Sequence, residues 1–173
     1  MIGIFLDLET YGLDCFKNRV LEIAYKIVDL EKKKTISSYH SRVFQPKEVW
    51  DQSDPNSLKI NGLKDTEQAG LSEKAVKDAI IEQFVEKNIH RENAIFICQN
   101  PSFDRPFFAQ LIAVHEVCPS RVLSPQPFLP LSKNKIARSL GLAEEAFPHT
   151  AINGAEHLWQ CYEALFERKA KFF

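Results

Sequence analysis

The sequence has little of what marks several broad classes of protein. Its 173 residues contain four cysteines, Cys15, Cys98, Cys118 and Cys161, widely spaced and without a C-x-x-C pair. Neither a zinc knuckle nor a disulfide framework is signalled, and a reduced environment is expected. Long apolar runs are missing, so no stretch approaches the roughly 20 residues that a membrane helix requires. Met1 to Leu6 is apolar but too short for a signal core, has no basic flank and runs into Asp7, so an untargeted, cytoplasmic protein free of the membrane is expected. An excess of positive charge is missing too: 22 basic residues face 23 acidic ones, for a net charge of −1. A bulk nucleic-acid coat is therefore not advertised, although an enzyme that touches a few nucleotides needs only a local basic rim. Internal repeats, low-complexity tracts and interdomain linkers are absent, and a hydrophobic content of 45% suits a single domain over residues 1–173.

What is present reads as alternating strands and helices. Ile2 to Leu6 is a short apolar run that ends in an acid, as a central strand does when it opens onto a cleft. Val20 to Leu30 and Thr35 to Phe44 are rich in β-branched and aromatic residues around a charged turn at Glu31 to Lys34, the pattern of an antiparallel meander. Ser53-Asp54-Pro55 opens a short helical segment. Ser72 is a candidate N-cap for a helix whose core face carries Ala75, Val76, Ala79, Ile80, Phe84 and Val85. A second buried strand is expected at Ala94 to Cys98, followed by a helix from about Pro106 to His115. Cys118 to Pro130 holds four of the nine prolines and reads as irregular, with one short strand near Val122. Helices are expected from Leu131 to Leu140, stopped by Gly141, and from Asn153 to the C-terminus. Phe84, Phe107, Phe108, Trp159 and Tyr162 stand at helical spacing and are assigned to the core.

The chemistry-bearing pattern begins at Asp7-Leu8-Glu9. Period-two alternation turns both carboxylates to one side of the strand, where they can face one cation. With 23 acids in 173 residues about three such pairs arise by chance, so the pair alone is weak. The preceding buried strand strengthens it, because two acids in the mouth of a buried sheet have a desolvation cost that a cation offsets.

Phe5-Leu6-Asp7-Leu8-Glu9-Thr10-Tyr11-Gly12-Leu13-Asp14 resembles the first motif of the DEDDh 3′→5′ exonucleases, the family that includes the proofreading subunit of bacterial replicative DNA polymerases. Arg19 to Ala24 resembles the strand that follows. Ile60-Asn61-Gly62-Leu63 resembles a short Gly-containing motif, with Asn61 where His is common. Gln99 to Phe108 resembles the second motif, and Pro148-His149-Thr150-Ala151 the start of the third. The motifs come in order and at the family's spacing over nearly the whole chain.

The resemblance implies an α/β, ribonuclease-H-like fold with a mixed five-stranded sheet flanked by helices. It implies a metal-dependent 3′→5′ exonuclease acting on single-stranded DNA or RNA 3′ ends, with a polymerase or another protein as a conceivable partner. Asp7, Glu9 and Asp104 become ligands of a two-metal site for Mg²⁺ or Mn²⁺, and His149 the general base. Paired hard cations can hold the attacking and leaving oxygens of a phosphodiester in line, and imidazole is the side chain suited to taking a proton near neutral pH. Thr10, Tyr11, Leu13 and Phe103 become candidate contacts to the terminal nucleotide, although Phe103 also suits the core. Lys17, Arg19, Arg105, Lys133, Lys135 and Arg138 are candidate phosphate contacts that equally suit a solvated surface.

One position departs from the family pattern. Five residues after the histidine, where the family carries its fourth acid, stands Gly154. Glu156 lies two helical positions further on, about 200° away around the axis, and Asn153 is neutral. Three readings stay open: a weakened exonuclease, a nuclease-dead domain that grips 3′ ends, or an interaction module that keeps only the fold.

Overall fold

The computed structural model describes residues 1–63, 69–112, 122–123 and 133–170. Five strands, β1 (Ile2–Thr10), β2 (Val20–Asp29), β3 (Lys34–Arg42), β4 (Ala94–Ile97) and the two-residue β5 (Val122–Leu123), form one sheet in the order β3-β2-β1-β4-β5. The first three strands run antiparallel, as the meander pattern implies, and β4 and β5 join in parallel. The mixed five-stranded expectation is met. Around the sheet lie α1 (Lys47–Trp50), α2 (Pro55–Asn61), α3 (Glu73–Glu86), α4 (Pro101–Leu111), α5 (Lys133–Leu140) and α6 (Ala151–Ala170).

Alternation along β1 divides the core in two. Ile4, Leu6 and Leu8 point to one face, where Val76, Ile80 and Phe84 of α3 and Phe107 and Phe108 of α4 cover them. Phe5 points to the other and meets Trp159 and Tyr162 of α6 edge-on, at ring-centroid distances of 5.1 and 5.2 Å. Such aromatic pairs contribute about 0.5–1.5 kcal/mol each beyond their buried area. Ala24 of β2 meets Ala151 and Ala155, three small side chains that let α6 lie close to the sheet. By the same alternation Asp7 and Glu9 share the face of Phe5, turned toward α6.

Several boundaries differ from the sequence reading for identifiable reasons. β1 continues to Thr10, so Asp7 pairs with Ala24 and Glu9 with Glu22 inside the ladder instead of following its end. α4 begins five residues before Pro106, because Pro101 takes the first-turn position suited to proline and Pro106 is accommodated within the helix. α3 is capped as expected, the Ser72 hydroxyl accepting from the Ala75 amide at 3.2 Å. It buries Val76, Ile80 and Phe84 but leaves Val85 exposed, since neighbouring helical positions cannot face the same way. α6 starts at Ala151, two residues ahead of Asn153. The expected helix start at Leu131, the end of the helix at His115, Cys118 and most of the proline-rich stretch lie outside the described residues.

Candidate active site

The topology creates an opening beside the acidic pair. β4 pairs with β1 only from Ile2 to Phe5, so beyond Phe5 the parallel side of β1 loses its partner, and the chain leaving β4 turns into α4. Crevices at the carboxyl ends of strands, where the sheet changes direction, are the usual ligand sites of α/β folds. Asp7 and Glu9 stand beyond that point, and Asp104 lies in the first turn of α4, 4% exposed. Its Oδ2 accepts from the Asn100 amide at 3.1 Å, which fixes the carboxylate back toward the end of β4.

Glu9 and Asp104 both sense the charge of Asp7. Burial, opposed by the Lys133 ammonium and assisted by Glu145, raises Asp7 to about 6. Burial, then the charges of Asp7, Glu145 and Glu22, raises Glu9 to about 8. Burial and the Asp7 charge raise Asp104 to about 7. The Cys98 thiol, buried and bonded to Asp104, is pushed far up and is held as an unreactive thiol.

His149 enters from the loop before α6. Its amide donates to the Ile60 carbonyl at 3.0 Å, while the Asn61 side chain donates to the Thr10 carbonyl at 3.2 Å and accepts from the Leu63 amide at 3.1 Å. The end of α2 thus ties the end of β1 to the histidine loop. Gly62 follows with φ of 68°, and a Cβ there would stand 2.7 Å from Pro148. Glu22, 3% exposed, binds the amide of Ala151 through Oε2 at 3.0 Å and His40 through Oε1, anchoring the start of α6 to β2.

Two residues that the sequence reading did not assign to this site, or assigned otherwise, stand within it. Lys133, a candidate surface phosphate contact, is instead 12% exposed, with Nζ 3.1 Å from Asp7 Oδ1 and 3.1 Å from Glu145 Oε2. Burial works against its charge, but the carboxylates of Asp7 and Glu145 outweigh it and hold Lys133 above its ordinary value. Glu145, whose side chain is 2% exposed, also places Oε2 4.0 Å from His149 Nδ1, and its Oε1 is buried with no hydrogen-bond partner among the described residues. Nothing in local sequence marks a loop glutamate as buried; the only signal was its position four residues ahead of the expected base.

Gly154 acquires a physical meaning here. A Cβ at this position would lie 1.9 Å from Asp7 Oδ2, 2.4 Å from Asp7 Cγ and 2.9 Å from Lys133 Nζ. The Asp7 carboxylate therefore leans into room that any side chain at 154 would take. Glu156, the nearest acid on the helix, is committed to an ion pair with Lys26 of β2 and does not replace the missing ligand.

The chemistry of the available donors fits a hard divalent cation: carboxylate oxygens of the buried Asp7 and Asp104, of the partly buried Glu9, and of Glu145, whose Oε1 has no hydrogen-bond partner among the described residues. The expected three-acid group is nevertheless not preassembled. Among the described residues no three acidic, imidazole or thiolate groups stand together as a metal-holding set. The Lys133 ammonium lies in the gap between Asp7 and Glu145.

The candidate nucleotide contacts divide. Leu13 is 77% exposed and Phe16, in the same loop, 91%. Tyr11, 2% exposed, is instead a core residue beside Leu21, Trp50 and Leu63, with its hydroxyl donating to the Lys17 carbonyl at 2.8 Å. The buried Thr10 hydroxyl donates to the Gly12 carbonyl at 2.7 Å, so neither of these two side chains is presented to a ligand. Phe103 packs, partly buried, against the α3–α4 side of the core.

No protein-family model matches the sequence, and no curated protein is significantly similar to it. Solved structures do match. An exonuclease I from Methylocaldum szegediense superposes with a TM-score of 0.77 at 18% identity over 98% of this chain and 41% of its own. The zinc-bound form of the E. coli ExoI–ssDNA complex superposes with a TM-score of 0.76 at 14% identity, over 98% and 41%. The cell-death related nuclease CRN-4 follows at 0.70 and 10%, over 96% and 64%. The chain spans about two fifths of the length of the exonuclease I structures. With its mixed sheet, its flanking helices and these superpositions, the chain has the ribonuclease-H-like exonuclease fold.

Proposed function

We propose that this chain is a metal-dependent 3′→5′ exonuclease that acts on single-stranded nucleic acid ends, with Asp7, Glu9 and Asp104 as ligands for Mg²⁺ or Mn²⁺ and His149 as general base. The observation that supports the reading is that Asp7, Glu9 and Asp104 are buried or partly buried near the open end of β1, each raised by burial and by a neighbouring carboxylate's charge. Buried acids that repel one another are stabilised by a shared cation. Bound there, a divalent cation would polarise the scissile phosphoryl group and neutralise its developing charge. His149, partly exposed and held through its backbone by the Ile60 carbonyl, is the group proposed to take the proton of an attacking water. Leu13, and Phe147 next to the histidine, supply exposed apolar surface on which a terminal base can stack.

The relatives' substrates favour DNA: E. coli exonuclease I has been solved with a dA13 oligonucleotide. The test is cleavage of a 3′-labelled single-stranded DNA and of a short RNA with Mg²⁺, Mn²⁺ or chelator, with Asp7→Asn as control. Stepwise loss of nucleotides from the 3′ end, abolished by chelator and by Asp7→Asn, is the expected result. A second reading, a domain that binds 3′ ends without cutting them, is favoured by one observation: Lys133 already supplies a cation to the acids. Tight binding of labelled strands with no cleavage under any metal would establish it and remove the first.

A further inference from the structure

The absence of an acid at Gly154 leaves a deficit in the expected ligand set, and the structure shows a carboxylate from a different element in its vicinity. Glu145 reaches the cluster from the loop between α5 and α6, held there by its amide, which donates to Asn134 Oδ1 at 2.8 Å. Its head group lies inside the site: Oε2 touches Lys133 and stands 4.0 Å from His149 Nδ1, while Oε1 is buried and unpartnered. A buried carboxylate oxygen without a donor is costly to leave unsatisfied, and a cation would satisfy it.

The ammonium between Asp7 and Glu145 is the second half of the argument. Lys133 begins the described span of α5. Among the described residues two carboxylates hold it, at the end of a flexible four-carbon stem. Asp7 and Glu145 contact this ammonium, and Glu9 and Asp104 lie near enough to sense its charge. Gly154 keeps the gap open on the side of α6.

We infer that Asp7 and Glu145 are the two poles of one cation position, filled by the Lys133 ammonium in the metal-free protein and by a divalent cation when Lys133 withdraws, with Glu145 supplying the carboxylate that Gly154 does not. Lys133 thereby acts as an internal competitor that sets how much metal the site requires. The inference rests on the metal-dependent reading of the site, but it concerns binding and is tested without cleavage.

The experiment is Mn²⁺ binding to the chelator-treated full chain, followed by electron paramagnetic resonance of the free ion and by calorimetry, for wild type, Lys133→Met, Glu145→Gln and the double variant. Lys133→Met is expected to bind Mn²⁺ on the order of tenfold more tightly than wild type, and Glu145→Gln on the order of tenfold less tightly. The double variant, which removes one charge of each sign and so folds without metal, is expected to bind more weakly than Lys133→Met. If Lys133→Met unfolds when stripped of metal, millimolar Mn²⁺ must refold it. Unchanged affinity in Lys133→Met or in Glu145→Gln, or failure of Mn²⁺ to refold the former, overturns the inference. Binding that follows the expected order without any cleavage would instead leave the inference standing and remove the exonuclease reading. Cleavage whose Mn²⁺ requirement is the same in all four proteins would do the reverse.

Discussion

Gly154→Ala is the sharpest perturbation available, because two rules of stability predict opposite signs for it. Inside a helix, Ala is favoured over Gly by about 1 kcal/mol, so propensity alone predicts a more stable protein. At this position the new Cβ would fall 1.9 Å from Asp7 Oδ2 and 2.4 Å from Cγ, far inside contact distance. Asp7 is short, buried and inside the β1–β2 ladder, so it can give way only by turning its carboxylate off Lys133. Overpacking of this kind costs about 1–3 kcal/mol. Breaking a buried ion pair costs about 3–5 kcal/mol, partly recovered here because Glu145 still holds Lys133. Against the gain of about 1 kcal/mol, a net loss of at least ~2 kcal/mol follows, or a fall in Tm of about 4–8 °C for a domain of this size. Melting curves in chelator for wild type, Gly154→Ala, Asp7→Ala and the double variant measure it. In the Asp7→Ala background the clash with the carboxylate vanishes and only the flexible Lys133 ammonium, 2.9 Å away, has to shift, so Gly154→Ala should become neutral or stabilising. A Gly154→Ala protein at least as stable as wild type would refute the reasoning. Gly154→Asp meets the same obstacle, so it restores a carboxylate only at the expense of the Asp7 position.

Three further outcomes are expected. The raised values of Asp7, Glu9 and Asp104 mean that the folded protein holds their protons more tightly than the unfolded chain, so the metal-free protein should melt at higher temperature near pH 5 than near pH 8.5, losing stability as pH rises through about 6 to 8; saturating Mn²⁺ should flatten that slope, and a flat or rising chelator profile would contradict it. Where cleavage is found, Asp7→Asn should abolish it whereas His149→Ala should retain a residue with an altered pH profile, because water replaces a base more readily than a ligand is replaced; single-turnover rates separate the two. Glu22→Gln should cost about 1.5–3 kcal/mol in a urea titration, since a charged acceptor to Ala151 and His40 is lost, and an unchanged midpoint would show that α6 is anchored elsewhere.

Much of the scaffold was legible because it depends on short-range pattern. The apolar run before Asp7, the meander, the Ser72 cap and the strand at Ala94 all follow from periodicity and capping, which a single sequence carries. Even the misplacement at Pro106 was an error between two prolines competing for one role. The Lys133–Asp7 contact joins residues 126 positions apart, and nothing in the spacing of either announces the other. A lysine at the head of a helix and a glutamate in a loop both have solvent as their default, and only the convergence of α5, α6 and β1 reverses it. Tyr11 was misread for the related reason that a motif specifies backbone position more firmly than the direction of a side chain. Gly154 was visible as a missing acid, but that its space is taken by Asp7 could be seen only in three dimensions.

β3 ends the sheet on one side; the Leu71 amide caps the Arg42 carbonyl at its far end, and among the described residues no further strand pairs along the rest of that edge. A second copy could extend the sheet there, which makes the edge a solubility question as much as a structural one. The strand meets it with the exposed Lys34, beside the exposed lysines of the preceding turn, so two copies that pair there bring like charges together. That guard works through water and ions: at about 0.1 M salt it reaches only about 10 Å, and at about 1 M about 3 Å. Concentrated stocks of the protein should therefore keep best at low ionic strength, the condition that leaves this border most strongly charged.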